Sequence, residues 1–358
     1  MSYIDPHGKV LKYLPQVMAW DGGVKPAPVT IEWDLSNRCV LGCQDCHFAY
    51  THTRGPWASM DGRMLPMAHD RAGDLADFDL TSRTLADVAE FGTRGIVWTG
   101  GGEPTTHPRW KDIITRTADL GLQQGMYTAG VLLDVEAGAF LADHATWVVV
   151  SLDAIEAAKY AVEKNVSELM FRKACDGVRA LAGRRATIGV SFLLHDLNWH
   201  EAADMYVFAK KLGATYATFR PAVQTKPHEP DKITHGRAWV DWALPDLKKL
   251  AAQPDIELDV ERFKQYRDWT DHGYASCLGI RLNTTITPDG RVWVCPNRRE
   301  FADGSCLGDL RVESFRQLWA RHPGVWTDFR TCRAMCRLHP VNQTLDAALS
   351  PRAHDAFI

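Results

Sequence analysis

The chain has 358 residues, 46% of them hydrophobic and 24% charged, with a formal net charge of −3. This is the composition of a globular protein long enough for one large domain and a smaller one, and it excludes a disordered or fibrous chain. Nowhere do eighteen apolar residues run together, which excludes a membrane-spanning helix, and the mild acidity gives no general nucleic-acid signal.

Residues 1–27 are punctuated by Pro and Gly and predict an irregular surface arm. No apolar run follows Met1, so no secretory signal is expected and the location read from the sequence is cytoplasmic. Val29 to Trp33 predicts a first strand within residues 28–34. It leads into Arg38-Cys39-Val40-Leu41-Gly42-Cys43-Gln44-Asp45-Cys46, where a tight loop can aim three thiolates at one point. Short Cys-x2/3-Cys pairs in a chain without an export signal favour metal or cluster binding over disulfides. Three thiolates are one fewer than a cubane iron–sulfur cluster or a closed zinc site needs. One iron would be left with an open position; the alternative is a zinc ion that borrows a fourth ligand such as His47.

Residues 47–79 hold Thr51-His52-Thr53-Arg54-Gly55-Pro56-Trp57 and the methionines Met60, Met64 and Met67, without periodicity. A loop this long beside an open metal site predicts a lid or substrate wall. From residue 80, apolar strands alternate with amphipathic helices. The helices predicted are Thr81–Phe91, capped by Thr81 or Ser82, then Trp110–Leu120, Asp134–Asp143, Glu168–Leu181 and His200–Leu212. The strands predicted are Gly95–Thr99, Gln124–Thr128, Thr146–Leu152, Ala186–Leu194 and Thr215–Arg220. This alternation implies a parallel sheet with right-handed crossovers. Six units over residues 28–225 give an α/β class, a partial (β/α)6 TIM-like barrel, whose ligands gather where the strands end. One such end is Gly100-Gly101-Gly102-Glu103-Pro104-Thr105; another is Tyr127-Thr128-Ala129-Gly130.

Residues 226–276 predict a connecting segment, with a Pro-rich loop (Pro227, Pro230), a helix near Val240–Ala252 and a strand near Ile256–Val260. Cys175 stands alone and reads as a core thiol. Five further cysteines, Cys277, Cys295, Cys306, Cys332 and Cys336, fall in residues 277–340. Arg281–Ile286, the turn Pro288-Asp289-Gly290 and Arg291–Val294 predict a β-hairpin that brings Cys277 near Cys295. After a helix-like stretch from Gly308 to Trp319, Cys332 and Cys336 supply a second pair. Four thiolates close an auxiliary cluster or a structural zinc site, with Cys306 spare or a substitute ligand. This region has ten Arg against six Asp and Glu, hence +4, on a body that carries −7. Residues 341–358 read as a tail.

The Cys39/Cys43/Cys46 loop after the first strand and Gly100 to Pro104 after the second resemble the radical S-adenosylmethionine (SAM) superfamily. The resemblance implies that the three thiolates hold a [4Fe–4S] cluster and that the methionine end of SAM chelates the open iron. The Gly-Gly-Glu-Pro stretch would run along the methionyl amino group, with Glu103 as a charge-assisted acceptor. Thr128, Ser151, Asn198 and Arg220, at later strand ends, are candidate SAM contacts, and Asp153 is a candidate catalytic residue. The residue before the third cysteine is usually aromatic in that family and packs on adenine. Here it is Asp45, so His47, Phe48 or Tyr50 would take its place; Tyr50 and His52 are further catalytic candidates. Cys277-x12-Gly290-x4-Cys295 resembles the SPASM or twitch extension, and five cysteines suit the twitch form, with one auxiliary iron–sulfur cluster. These likenesses imply reductive SAM cleavage fed by an external donor of flavodoxin or ferredoxin type, and hydrogen abstraction from substrate. The expected substrate is small and polar or nucleoside-like, since the arm is too short for a fused peptide-recognition domain. Isomerisation, epimerisation or dehydrogenation would follow. Cys46 to Pro56 also resembles phage-encoded radical SAM isomerases of thymidine hypermodification, which would make DNA a partner and the host cytoplasm the location. The alternatives are a SPASM-type maturase of a ribosomal peptide and a non-catalytic iron–sulfur or zinc protein.

Overall fold

The computed structural model describes residues 5–43, 46, 57–58, 64–65, 74–222, 237–267, 272–299, 304–329, 332, 336–351 and 353. The arm is helical where it was expected to be irregular: α1 (Pro6–Leu11) is capped by Asp5 and followed by α2 (Leu14–Ala19). Val10 and Val17 on these helices pack with Leu282 and Leu345 in a small core of their own.

The body is a parallel sheet. Its strands are β1 (Thr30–Asp34), β2 (Gly95–Thr99), β3 (Gln123–Thr128), β4 (Trp147–Ser151), β5 (Thr187–Leu194), β6 (Tyr216–Pro221) and β7 (Ile256–Leu258), side by side in chain order. The crossovers are α3 (Phe78–Phe91), α4 (Trp110–Asp119), α5 (Val135–His144), α6 (Ala157–Lys164) with α7 (Leu169–Leu181), α8 (Ala202–Lys211) and α9 (Trp239–Ala251); α10 (Val260–Arg267) follows β7. The six-unit α/β reading therefore holds, with a seventh parallel strand added. The middle of β4, Val148-Val149-Val150, is buried, as expected of a strand covered on both faces. Helix α3 starts earlier than expected. Asp77, not Thr81 or Ser82, is its cap: the Asp77 carboxylate accepts from the Leu80 N–H at 2.7 Å, and Thr81 is buried inside the helix.

The end of the chain joins the same sheet. β8 (Asn283–Ile286) pairs in parallel with the free edge of β1, Thr30 opposite Asn283 and Trp33 opposite Ile286. β9 (Arg291–Trp293) and β10 (Cys306–Asp309) continue antiparallel, so ten strands run in the order β10-β9-β8-β1-β2-β3-β4-β5-β6-β7. The hairpin turn forms as predicted, with Gly290 at φ +82, a conformation glycine adopts without steric cost. The stretch expected as one helix from Gly308 to Trp319 is instead split between β10 and α11 (Phe315–Ala320). The break comes at Ser314, whose capping box with Gln317 starts the helix. The expected tail contains α12 (His339–Leu349), which covers Val10 and Val17 through Leu345.

In the 47–79 stretch, Trp57–Ala58 pairs antiparallel with Met64–Leu65, and its end is not lid: Leu75 bridges Ser36, and Asp77 and Phe78 begin α3; residues 47–56, 59–63 and 66–73, with Phe48, Tyr50 and His52, lie outside the described residues, as do Pro227 and Pro230. Among the described residues no helix is long and apolar enough to cross a membrane.

Candidate functional site

β1 ends at Asp34, and the chain then turns under the end of β2. The two segments are tied by backbone: Gly102 N–H donates to Ser36 O at 2.9 Å and Glu103 N–H to Arg38 O at 2.8 Å. A Cβ on Gly102 would sit 2.2 Å from Arg38 O, and one on Gly100 would sit 2.2 Å from Gly102 O. Glycine is therefore required at Gly102 for the two loops to touch, and at Gly100 for the turn to fold back on itself. Pro104 opens a short 3-10 turn, Pro104–Thr106. Glu103 is 3% exposed and held at several points. Its Oε1 accepts from the Thr105 N–H (3.1 Å), the Thr105 hydroxyl (2.6 Å) and the Thr128 hydroxyl (2.7 Å), and its Oε2 accepts from the Ala129 N–H (2.6 Å). Thr128, expected as a ligand contact, thus orients the carboxylate.

The Cys39, Cys43 and Cys46 thiols act on one another, and Glu103 acts on Cys39. Burial pushes the Cys39 thiol up to about 12, and repulsion from Glu103 and the neighbouring cysteines adds to this. Cys43 is pushed up by burial and pulled back by the Lys164 ammonium. Thiols so placed stay protonated until a metal displaces the proton. Among the described residues no three His, Cys, Asp or Glu side chains are grouped tightly enough to share one metal ion. A cubane, whose irons each take a separate thiolate, asks for wider spacing.

Ser151 and Asp153 end β4. Asp153 adopts φ +63, uncommon for a side-chain-bearing residue. It accepts from the Leu193 N–H at 2.7 Å and the Ser151 hydroxyl at 3.0 Å, and it is ion-paired with the buried Lys164. Asn198 spends its amide on the loop after β5: Oδ1 accepts from His195 N–H at 2.8 Å and Nδ2 donates to Leu193 O at 3.0 Å. Arg220 donates to the Ser191 hydroxyl at 2.9 Å and lies 5.8 Å over the Tyr127 ring.

At the other end, Cys277 and Cys295 pack with Ile280 and Leu338, flanked by Trp326, Phe329 and Cys336. Cys277, Cys332 and Cys336 all act on Cys295. Burial raises the Cys277 thiol to about 12 and the Cys332 thiol to about 11. Asn297 donates to Cys336 Sγ at 3.1 Å and Asn342 to Cys277 Sγ at 3.0 Å. N–H donors to sulfur of this kind stabilise thiolates that carry a cluster's charge, so four converging sulfurs with amide donors fit an iron–sulfur group. Cys306 lies on β10, its thiol directed at Gly308 O at 3.7 Å.

The two cysteine regions are bolted together through β1. Arg299, 2% exposed, donates Nη1 to both Asp34 oxygens (2.5 and 2.6 Å) and Nε to Pro296 O (3.0 Å). Arg337, next to Cys336, donates to Glu32 at 2.6 Å. The sequence reading missed Lys164, Asn297, Asn342 and this network, because an isolated Lys, Asn or Arg carries no motif.

Comparison with known proteins agrees with this geometry. Residues 33–209 match the radical SAM superfamily, and residues 277–339 match SPASM, an iron–sulfur cluster-binding domain. The chain is 23% identical, over 83% of its length and 82% of the relative's, to the tungsten-containing aldehyde ferredoxin oxidoreductase cofactor-modifying protein of Pyrococcus furiosus. It is 29% identical, over 84% of its length and 74% of the relative's, to the PqqA peptide cyclase of Methylorubrum extorquens. Its fold resembles that of Streptococcus suis SuiB bound to S-adenosylmethionine, with a TM-score of 0.64 at 13% identity, covering 90% of this chain and 72% of that one. The first match implies a [4Fe–4S] cluster with SAM, and the second implies auxiliary iron–sulfur clusters. With a cysteine loop leaning on a Gly-Gly-Glu turn at one end and a buried set of cysteines at the other, the chain belongs to the radical SAM superfamily and carries a SPASM-type C-terminal region.

Proposed function

We propose that this protein is a radical SAM maturase that modifies a ribosomally made peptide. The observation that carries this reading is the likeness to a PqqA peptide cyclase over 84% of the chain, more than the barrel alone occupies. That likeness supports a peptide over the small polar or nucleoside-like substrate, or DNA, expected from sequence.

In this reading Cys39, Cys43 and Cys46 hold the SAM-binding [4Fe–4S] cluster. Cys277, Cys295, Cys332 and Cys336 hold an auxiliary one. When bound, cluster and SAM supply the hydrogen-abstracting radical. The chain's own residues position and shield. Gly102 lets the turn lie against the cysteine loop, and Gly100 lets the turn close on itself. Glu103, fixed on its Oε1 side by three donors, keeps lone-pair capacity on Oε2 for the methionyl ammonium. Ser151 and Arg220 face the same strand ends and serve as further SAM or substrate contacts. Asn198, whose amide is committed to backbone, shapes the loop.

The test is anaerobic. Protein loaded with iron and sulfide is given SAM and dithionite, and 5′-deoxyadenosine is measured by chromatography. Short peptides encoded beside the gene are then added and weighed by mass spectrometry. SAM cleavage together with a mass change in one peptide is expected. Cleavage that leaves every peptide intact while a nucleoside or DNA substrate is altered would overturn the peptide reading.

A further inference from the structure

Lys164 is a buried cation that the reading above does not use. It closes α6, where a helix leaves its last carbonyls without internal partners. One of these is taken up by the cysteine loop: Gly42 N–H donates to Lys164 O at 2.8 Å, one residue before Cys43. The ammonium is 6% exposed at the side chain and ion-paired with Asp153, which is 4% exposed. Asp153 is itself anchored from Leu193 and Ser151, and its φ of +63 is a strained conformation that the surroundings hold in place. So Lys164 is fastened to the cysteine loop by its backbone and to the end of β4 by its charge. The groups whose charges act on it are Asp153, Cys43 and Tyr160.

We propose that Lys164 is a positioning residue for the cluster on the first cysteine loop, and that the buried Asp153–Lys164 pair, tied to that loop at Gly42, raises that cluster's reduction potential through the Lys164 charge. Reduction adds one electron, from the donor, to the cluster. In a site from which water is excluded, a fixed positive charge stabilises that added electron more than it would in solvent. Asp153 partly offsets this and prevents the ammonium from shedding its proton. The inference rests on Cys39, Cys43 and Cys46 holding the cluster, and not on the nature of the substrate.

The experiment is a mediated redox titration of the reconstituted holoprotein with dithionite, without SAM, followed by electron paramagnetic resonance. The signal that later changes on adding SAM identifies the open-iron cluster. Lys164→Met is expected to move its potential to a more negative value, because the charge is lost and Asp153 is left uncompensated. Asp153→Asn is expected to move it the opposite way. The double variant should lie closer to wild type than Lys164→Met does, and Lys164→Arg should restore most of the shift. An unchanged or more positive potential in Lys164→Met overturns the proposal. Where Lys164→Met retains no cluster, Asp153→Asn decides, and an unchanged or more negative potential there overturns it. A wild-type protein without any SAM-responsive signal would overturn the cluster assignment, and this proposal with it.

Discussion

Replacing Arg299 by Met tests how the two cysteine regions are held together. Arg299 and Asp34 are 2% and 0% exposed, and both Asp34 oxygens receive the same Nη1. Methionine retains much of the volume and removes the charge. Breaking a buried pair by deleting one member costs about 3–5 kcal/mol, because the remaining charge is left without compensation. Part of that is recovered if Asp34 takes a proton. Burial already raises the Asp34 carboxyl above its usual 3.8, with Arg299 pulling it down, so the variant raises it further. An acid with a folded pKa above its unfolded one binds more protons when folded, and its stability falls as pH rises from the unfolded value to the folded one. The deficit of Arg299→Met should therefore be larger at pH 7.5 than at pH 5. Anaerobic urea unfolding gives the loss, and iron content reports whether the auxiliary cluster stays. Arg299→Met/Asp34→Asn should recover more than half of the deficit, since the stranded charge is gone. A loss below about 1 kcal/mol, the scale of an exposed pair, with no pH dependence would refute the reasoning.

Other consequences can be checked separately. Gly102→Ala puts a Cβ 2.2 Å from Arg38 O; forcing it in should cost about 1–3 kcal/mol and displace the cysteine loop, seen as loss of SAM binding in equilibrium dialysis. Glu103→Gln keeps the shape and removes a charge-assisted acceptor worth about 1.5–3 kcal/mol, so SAM affinity should fall by about tenfold or more while iron content holds. Asn342→Ala removes the donor to Cys277 Sγ and the acceptor for the Leu278 and Gly279 N–H groups; iron should drop toward the content of a single cluster. His322 is fully buried, and burial lowers its pKa from 6.5 to about 4. Its ring donates Nε2 to Val294 O and accepts Gly324 N–H at Nδ1. Because the unfolded state binds the proton first, stability should fall as pH drops from about 6.5 to about 4. His322→Gln should flatten that part of the melting-temperature profile.

Much of the fold could be read because its signals are local. The run Trp147-Val148-Val149-Val150-Ser151 has few readings other than a buried strand, and the helix expected over Asp134–Asp143 forms over Val135–His144, with Asp134 as its cap accepting from Ala137 N–H at 2.7 Å. The cysteine loop and the Gly-Gly-Gly-Glu-Pro turn are legible for the same reason: residue type and spacing carry the chemistry. What escaped is settled across long separations. Lys164 on a helix looks like any solvated lysine until β4 and the cysteine loop close over it. Arg299 finds Asp34 at a distance of 265 positions. The arm helices, six residues each, are too short for periodicity to declare them, and the arm and tail helices owe their stability to packing on each other.

The pairing of β8 with β1 has a bearing on synthesis. β1 gains β2 as a neighbour after some sixty residues, but its other edge waits for Asn283–Ile286. Until most of the polypeptide has left the ribosome, the strand that presents Cys39 has one side bare to aberrant pairing. Such distant closure is also slow. Iron loading is therefore best deferred until translation ends, and variants that loosen β8 should show themselves first as poor yield of soluble protein rather than as altered chemistry.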